Sequence, residues 1–227
     1  MAVERSSLPE QVFRQLVGAV LDGRYAPGDR LPSQRALAQD LGVNMASLRE
    51  GIKRLEQLRL VDVKHGDAMR VQDWKTSSGL DVLAYAVTVD PALTGALFEA
   101  RRLLLREAAR LAAARRTDGH VRALDELATA FAAAPDDTTA QMIDLAFMGT
   151  VIDAAGNLVF GLILNSIRDL YLGHLERFRP LVADREELVP LYRRAARALA
   201  TGDAGRAAGA VEKLAAAQEA RMVEAQG

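Results

Sequence analysis

The sequence predicts a mainly α-helical protein, a small N-terminal winged helix-turn-helix followed by an all-α bundle of six or seven helices. Three observations predict it. Half of the residues are hydrophobic but only 5% are aromatic, and the abundant alanine and leucine favour helix. Apolar residues recur at helical spacing through most of the chain. Two short β-type runs follow directly on a closely spaced helix pair, the order of a wing after a helix-turn-helix.

The first helix is expected from about Ser7. Ser7 and Glu10 have capping-box spacing, and Pro9 suits a first helical turn. Val12, Phe13, Leu16, Val20 and Leu21 supply the apolar stripe, and Gly23 ends it. Pro27-Gly28-Asp29 signals a turn. A second helix runs from about Ser33 to Leu41, and Asn44 can cap a third from Met45 to about Leu58. The β-type runs are Leu60–Lys64 and Ala68–Gln72, joined at His65-Gly66-Asp67. The polar stretch 74–79 reads as a linker, which divides the chain into a head (1–73) and a helical domain (80–227). Helices are expected there near 80–88, 91–116, 120–134, 138–155, 157–178, 184–200 and 204–225. Asp184 and Glu187 offer a second capping box.

The 227 residues contain no cysteine, which excludes a disulfide framework and a thiolate metal site. The N-terminus lacks the apolar core of a signal peptide, and no apolar stretch approaches bilayer length. A soluble, cytoplasmic protein with no membrane partner is expected. Charge is unevenly spread: residues 1–75 carry 12 Lys/Arg against 10 Asp/Glu, and residues 76–227 carry 17 against 20.

Duplex DNA demands cations for phosphates and donors for base edges. Arg35 lies near the start of the second helix, and Asn44, Met45, Ser47 and Arg49 lie at the start of the third, the end that meets bases in such motifs. Lys53 continues along that helix, while His65 and Gly66 form the wing tip. On charge alone, a solvated helix pair would suit these residues better than a DNA-binding one.

The stretch GRYAPGDRLPSQRALAQDLGVNMASLREGIKRLEQLRLV, followed by VKHGDAMRV, resembles the head of GntR-superfamily regulators. The resemblance implies a winged helix-turn-helix that binds operator DNA as a homodimer. By position, Arg35, Arg49 and Gly66 match DNA-contacting residues of that family, and His65 matches the wing histidine of its FadR-type, fatty-acid-responsive members. Met45 stands where an arginine is usual. An arginine–guanine contact is worth about 1–3 kcal/mol of discrimination, and methionine cannot make it.

Trp74 and the following Thr/Ser-Gly-Leu resemble the FadR-type linker, and Gly156-Asn157 with Gly161-Leu162-Ile163-Leu164-Asn165 resembles a run in the same members. Gly161 and Asn165 are unusual inside an apolar helix; close helix packing and a ligand are equally good reasons for them. Many relatives hold a metal in this domain through one aspartate and three histidines. Here Asp144 keeps the aspartate position, but Met148, Tyr192 and Leu214 occupy the others, so no metal is expected. The FadR-type resemblance implies a long-chain acyl-CoA or related lipid-type effector instead, with Arg101, Asp144, Met148, Asn157, Leu162, Asn165, Tyr192, Leu214 and Met222 as its candidate contacts. Arg101 would suit a carboxylate, thioester or phosphate, or be a plain surface cation. The absence of aromatic residues from 193 to 227 weakens the case for the CoA head and keeps a small carboxylate, or no effector, open.

No nucleophile–base motif, phosphate loop or metal set is present, so an enzyme is not expected, nor a cofactor. The function expected is a ligand-responsive transcription regulator. A non-sensing DNA-binding dimer is the alternative.

Overall fold

The computed structural model describes residues 7–64, 68–90 and 92–225. The chain divides into two compact units, Met1–Asp90 and Pro91–Gly227.

In the first unit, α1 (Leu8–Leu21) starts where expected. The Ser7 hydroxyl accepts from the Glu10 N–H at 3.4 Å. The capping box is only half formed, because the Glu10 carboxylate turns instead to Arg14 (2.7 Å) and to Arg54. Helices α2 (Gln34–Asp40) and α3 (Met45–Gln57) are capped by the side chains of Ser33 and Asn44. Gly42, at φ 63°, makes the turn between them, in a region that costs other residues a Cβ clash.

The packing of α1 on α3 depends on Gly51. A Cβ there would lie 2.6 Å from Val12 Cγ1 and 3.3 Å from the Phe13 nitrogen. This close approach builds the core of the head around Phe13, Leu16, Leu48, Ile52 and Leu55.

The wing strands are shorter than the two β-type runs. Only β1 (Val61–Asp62) and β2 (Arg70–Val71) pair, antiparallel, with Val61 opposite Val71. The segment before α2 lies on the other side of β2, where the Leu31 N–H donates to the Met69 carbonyl (2.9 Å) and the Val71 N–H to that of Asp29 (3.0 Å).

The stretch expected as a linker is structured. Asp73 caps a short helix, α4 (Trp74–Ser77), and the Ser77 and Ser78 hydroxyls donate to the carbonyls of Arg59 (3.1 Å) and Leu58 (2.7 Å) at the end of α3. A 3-10 turn at Leu80–Val82 leads into α5 (Leu83–Val89). Val82 belongs to the core of the head, Trp74 packs against it, and Tyr85 meets Phe13 edge to face at 5.0 Å. Serines that look like linker composition are here hydrogen-bond donors to the free carbonyls of a helix end.

The second unit holds six α-helices among its described residues: α6 (Ala92–Arg115), α7 (Asp118–Ala132), α8 (Asp137–Ala154), α9 (Leu158–Gly173), α10 (Arg185–Thr201) and α11 (Ala204–Glu224). The alanine content serves the pairing of α6 with α11. Ala108, Ala109, Ala112 and Ala113 on one helix, and Ala207, Ala208 and Ala215 on the other, are buried and permit close backbones. Arg102 ties the same helices by pairing with Glu219 (2.7 Å) and Glu212 (3.3 Å).

Two expectations change here. Helix α9 stops at Gly173 rather than near 178, and a 3-10 turn at Arg179–Val182 follows. Asp184 does not form a capping box: it sits at φ 52° and its side chain makes no cap hydrogen bond, while Glu187 pairs with Arg221 at 2.7 Å.

Candidate functional site

The exposed end of α3 carries the candidate DNA-reading residues. Met45, Arg49 and Lys53 are solvent-exposed on α3, as is Arg35 on α2. Asn44 is exposed too, but its side-chain oxygen is committed to the Ser47 N–H at 2.8 Å. Its amide nitrogen is the part left for a base or phosphate. Ser47 departs from the expectation: it is buried within the head, so it supports the helix start rather than the exposed face. Arg54, next along the helix, is withdrawn from that face. It pairs with Glu10 and lies 3.9 Å over the Phe13 ring. His65 and Gly66 lie outside the described residues.

Hydrogen bonds from Arg14 and from Arg54 hold the Glu10 carboxyl below the usual carboxylate range. Among the described residues Arg35, Arg49 and Lys53 are exposed and form no ion pair. Such cations can meet a phosphate backbone without breaking a salt bridge.

The second unit contains a buried polar cluster. Asp144 of α8 accepts through Oδ1 from the Tyr192 hydroxyl (2.5 Å) and from Gln218 Nε2 (2.8 Å). Its Oδ2 lies 3.4 Å from Arg101 Nη2, and Arg101 Nη1 donates to Gln218 Oε1 at 2.9 Å. Tyr192 is stacked on Phe131 at 4.0 Å and meets Phe147 edge to face at 5.0 Å. Burial, reinforced by Asp144, pushes the Tyr192 hydroxyl well above its ordinary range, so it serves as a neutral donor.

This cluster does not fit a metal. The Asp144 oxygens are already engaged by three donors, a guanidinium stands beside them, and Met148 and Leu214 offer no hard ligand. Among the described residues, no group of three or more His, Cys, Asp or Glu side chains could hold an ion.

Beside the cluster lies a cavity of about 50 Å³, enclosed by α6, α8, α9 and the 3-10 turn. Phe98, Arg101, Asp144, Met148, Ile167 and Tyr171 are among its walls. A second, open groove of about 710 Å³ runs between α8 and α9, where Asp153, Asn157, Asn165 and Arg168 supply its polar side chains. Leu145, Ile152, Leu164 and Arg168 line both spaces.

The expected effector residues therefore separate. Arg101, Asp144 and Met148 line the cavity, and Tyr192 backs it through Asp144. Asn157 and Asn165 line the groove, with Asn157 also capping α9. Leu162 corrects its expectation by pointing to solvent, 55% exposed. Leu214 and Met222 are buried in the core without lining either space. Gln218 and Tyr171 were not foreseen. A signal existed for Gln218: it stands at four-residue spacing between Leu214 and Met222, one polar residue on an apolar helix face.

Residues 8–71 match the family model of bacterial regulatory proteins of the gntR family, and residues 96–217 match the FCD domain model. The chain belongs to the GntR family. It is 34% identical over 205 residues to the HTH-type transcriptional regulator Mce2R of Mycobacterium tuberculosis (strain CDC 1551 / Oshkosh), covering 88% of this chain and 85% of that one. It is 29% identical over 160 residues to the fatty acid metabolism regulator protein of an Enterobacter species (strain 638), covering 69% of this chain and 66% of that one. Among solved structures, the Listeria monocytogenes regulator Lar superposes with a TM-score of 0.62 at 17% identity, covering 98% of this chain and 99% of that one. Streptococcus agalactiae GntR does so at 0.50 and 23%, covering 93% and 99%. The protein is thus a helix-turn-helix transcription regulator of the GntR family with an FCD ligand-binding domain, and not an enzyme. Among its described residues no helix is long and apolar enough to cross a membrane.

Proposed function

We propose that this GntR-family regulator is a cytoplasmic homodimer that binds operator DNA through α3, and that a lipid-type ligand, long-chain acyl-CoA or a related acyl compound, modulates that binding. The observation that carries the effector reading is the apolar cavity of the second unit, whose wall is shared with an open groove. An acyl chain buried along such a wall gains about 0.8 kcal/mol per CH₂. The cavity is smaller than a long chain, and α9 is the wall with least to lose by moving: along its 16 residues only Leu170 and Tyr171 are buried. Similarity to fatty acid metabolism regulators supports the same ligand class.

Homodimerisation follows from the reading mode, since one recognition helix meets few base pairs and two half-sites supply the rest. Ligand binding then shifts the population of DNA-competent dimers. A gel shift on promoter DNA, with and without micromolar palmitoyl-CoA, tests both parts. Arg49→Ala abolishes the shift, and palmitoyl-CoA changes it for the wild type. A wild-type shift indifferent to acyl-CoA but released by a small carboxylate would replace the lipid reading. Indifference to both would leave a non-sensing dimer.

A further inference from the structure

The small sheet of the head sets two arginines side by side. Arg30, in the segment before α2, forms an antiparallel bridge with Arg70 of β2. The hydrogen bonds flank that bridge, from the Leu31 N–H to the Met69 carbonyl and from the Val71 N–H to that of Asp29. The pair is therefore the non-hydrogen-bonded kind, in which opposed Cα atoms lie about 4.5 Å apart and side chains are closest. Leu31, Met69 and Val71, the sequence neighbours, are buried, so by strand alternation both arginines stand on the outer face.

Like charges directly opposite each other destabilise a sheet unless an anion lies between them. The nearby carboxylates do not supply it. Asp62 faces Arg70 across β1, but its carboxylate turns to Lys64 at 3.7 Å. Asp29, beside Arg30 in sequence, accepts from the Ala26 N–H at 2.8 Å. Among the described residues neither arginine forms an ion pair. The outer face thus carries Arg30, Arg70 and Lys64 against one carboxylate, already engaged. Two adjacent guanidinium groups match the oxygens of one phosphate.

We propose that Arg30 and Arg70 form a phosphate-binding pair on the outer face of the wing sheet, holding the DNA backbone at a point separate from α3. Backbone phosphate is the source favoured here because the chain runs from Arg30 straight into α2, whose Arg35 is an exposed cation of the candidate DNA surface. Such a contact fixes the register of the head on the duplex without reading bases. The inference rests on the DNA-binding reading and adds a contact to it.

The test is fluorescence anisotropy of the full-length protein on labelled promoter DNA and on a random-sequence duplex of equal length, from about 50 to 200 mM salt. Arg30→Gln and Arg70→Gln each weaken binding to both duplexes alike and reduce the salt slope by about 0.9, the double variant by about 1.8. Over that salt range the double variant therefore loses roughly tenfold less affinity than the wild type. Arg30→Lys combined with Arg70→Lys restores the wild-type slope. Without DNA, the glutamine variants melt no lower than the wild type, since a repulsion is removed and no ion pair is lost. An unchanged salt slope in the double glutamine variant overturns the inference and leaves DNA binding through α3 intact. A lower melting temperature also overturns it, because the arginines would then be held by the fold itself. An unchanged slope, together with inorganic phosphate raising the melting temperature of the wild type but not of the double variant, would assign the pair to a free anion instead. A wild type that binds neither duplex removes the DNA-binding reading and this inference with it.

Discussion

Replacing Asp144 by asparagine tests whether the buried cluster is an electrostatic unit. The substitution is isosteric, so packing stays and charge goes. Asparagine can keep its oxygen toward the Tyr192 hydroxyl and Gln218, preserving both hydrogen bonds to Oδ1. Its amide nitrogen then faces the Arg101 guanidinium across the 3.4 Å now spanned by the ion pair, donor against donor. The alternative flip turns the same amide against the Gln218 nitrogen and forces that residue to flip as well.

Either way the guanidinium loses its counter-charge. At 3.4 Å and an effective dielectric near 20 the lost attraction is about 5 kcal/mol. The retained bond to Gln218 and the guanidinium's residual exposure reduce that to about 3 kcal/mol, at the lower end for a broken buried pair. For a helical unit of this size the melting temperature falls by roughly 10 °C. Circular dichroism follows the helical unit, which supplies most of the helix. The fluorescence of Trp74, the one tryptophan, reports the head and stays unchanged. Adding Arg101→Met removes the stranded cation while keeping an apolar side chain of similar length, so the double variant recovers much of the loss. A melting temperature for Asp144→Asn within about 1 °C of wild type would refute the reasoning, as would strictly additive losses in the double variant.

Three further outcomes are expected. Gly51→Ala places a methyl 2.6 Å from Val12 Cγ1, pushes α1 off α3, and costs the head about 1–3 kcal/mol, measured as an earlier Trp74 unfolding transition in urea; no change would mean that the close approach is not needed. Met45→Arg adds a guanidinium at an exposed position of the recognition helix and shifts preference toward guanine at one operator position by about 1–3 kcal/mol, read by binding-site selection; identical selected sites would remove Met45 from the base-reading face. Glu10→Gln removes a carboxylate whose folded pKa is depressed by Arg14 and Arg54. A depressed pKa stabilises the fold above the unfolded value and loses that contribution as pH falls through the folded one. The variant is therefore less stable than wild type at pH 7, by about 1 kcal/mol or less for a partly exposed pair, and the gap closes below about pH 4. A gap that persists or widens in acid contradicts the assignment.

Much of the head was legible because its signals are local. Ser33 and Asn44 cap the next residues in sequence, Gly42 makes its turn through its own φ, and helical spacing marks the buried side of α1. Where local reading failed, a distant partner had outbid a near one. Glu10 abandoned its capping box for Arg14, one turn on, and for Arg54, 44 residues away, and Glu187 abandoned its own for Arg221. The serines after Trp74 resembled a linker until the carbonyls at the end of α3 claimed them. In the helical unit the individual residues were visible, but their grouping was not.

Sequence alone, then, determined the mainly α character, the helix-turn-helix with its small wing, and the family. Each follows from short-range periodicity, chain-local turn chemistry or residue identity. Only the tertiary structure decided that Ser47 is buried, that Leu162 faces solvent, and that Asp144, Arg101, Tyr192 and Gln218 form one cluster. Helical periodicity places a side chain on one face of its own helix. Which neighbour that face meets, and whether it meets one, depends on helices up to 117 residues apart in the chain, as Arg101 and Gln218 are.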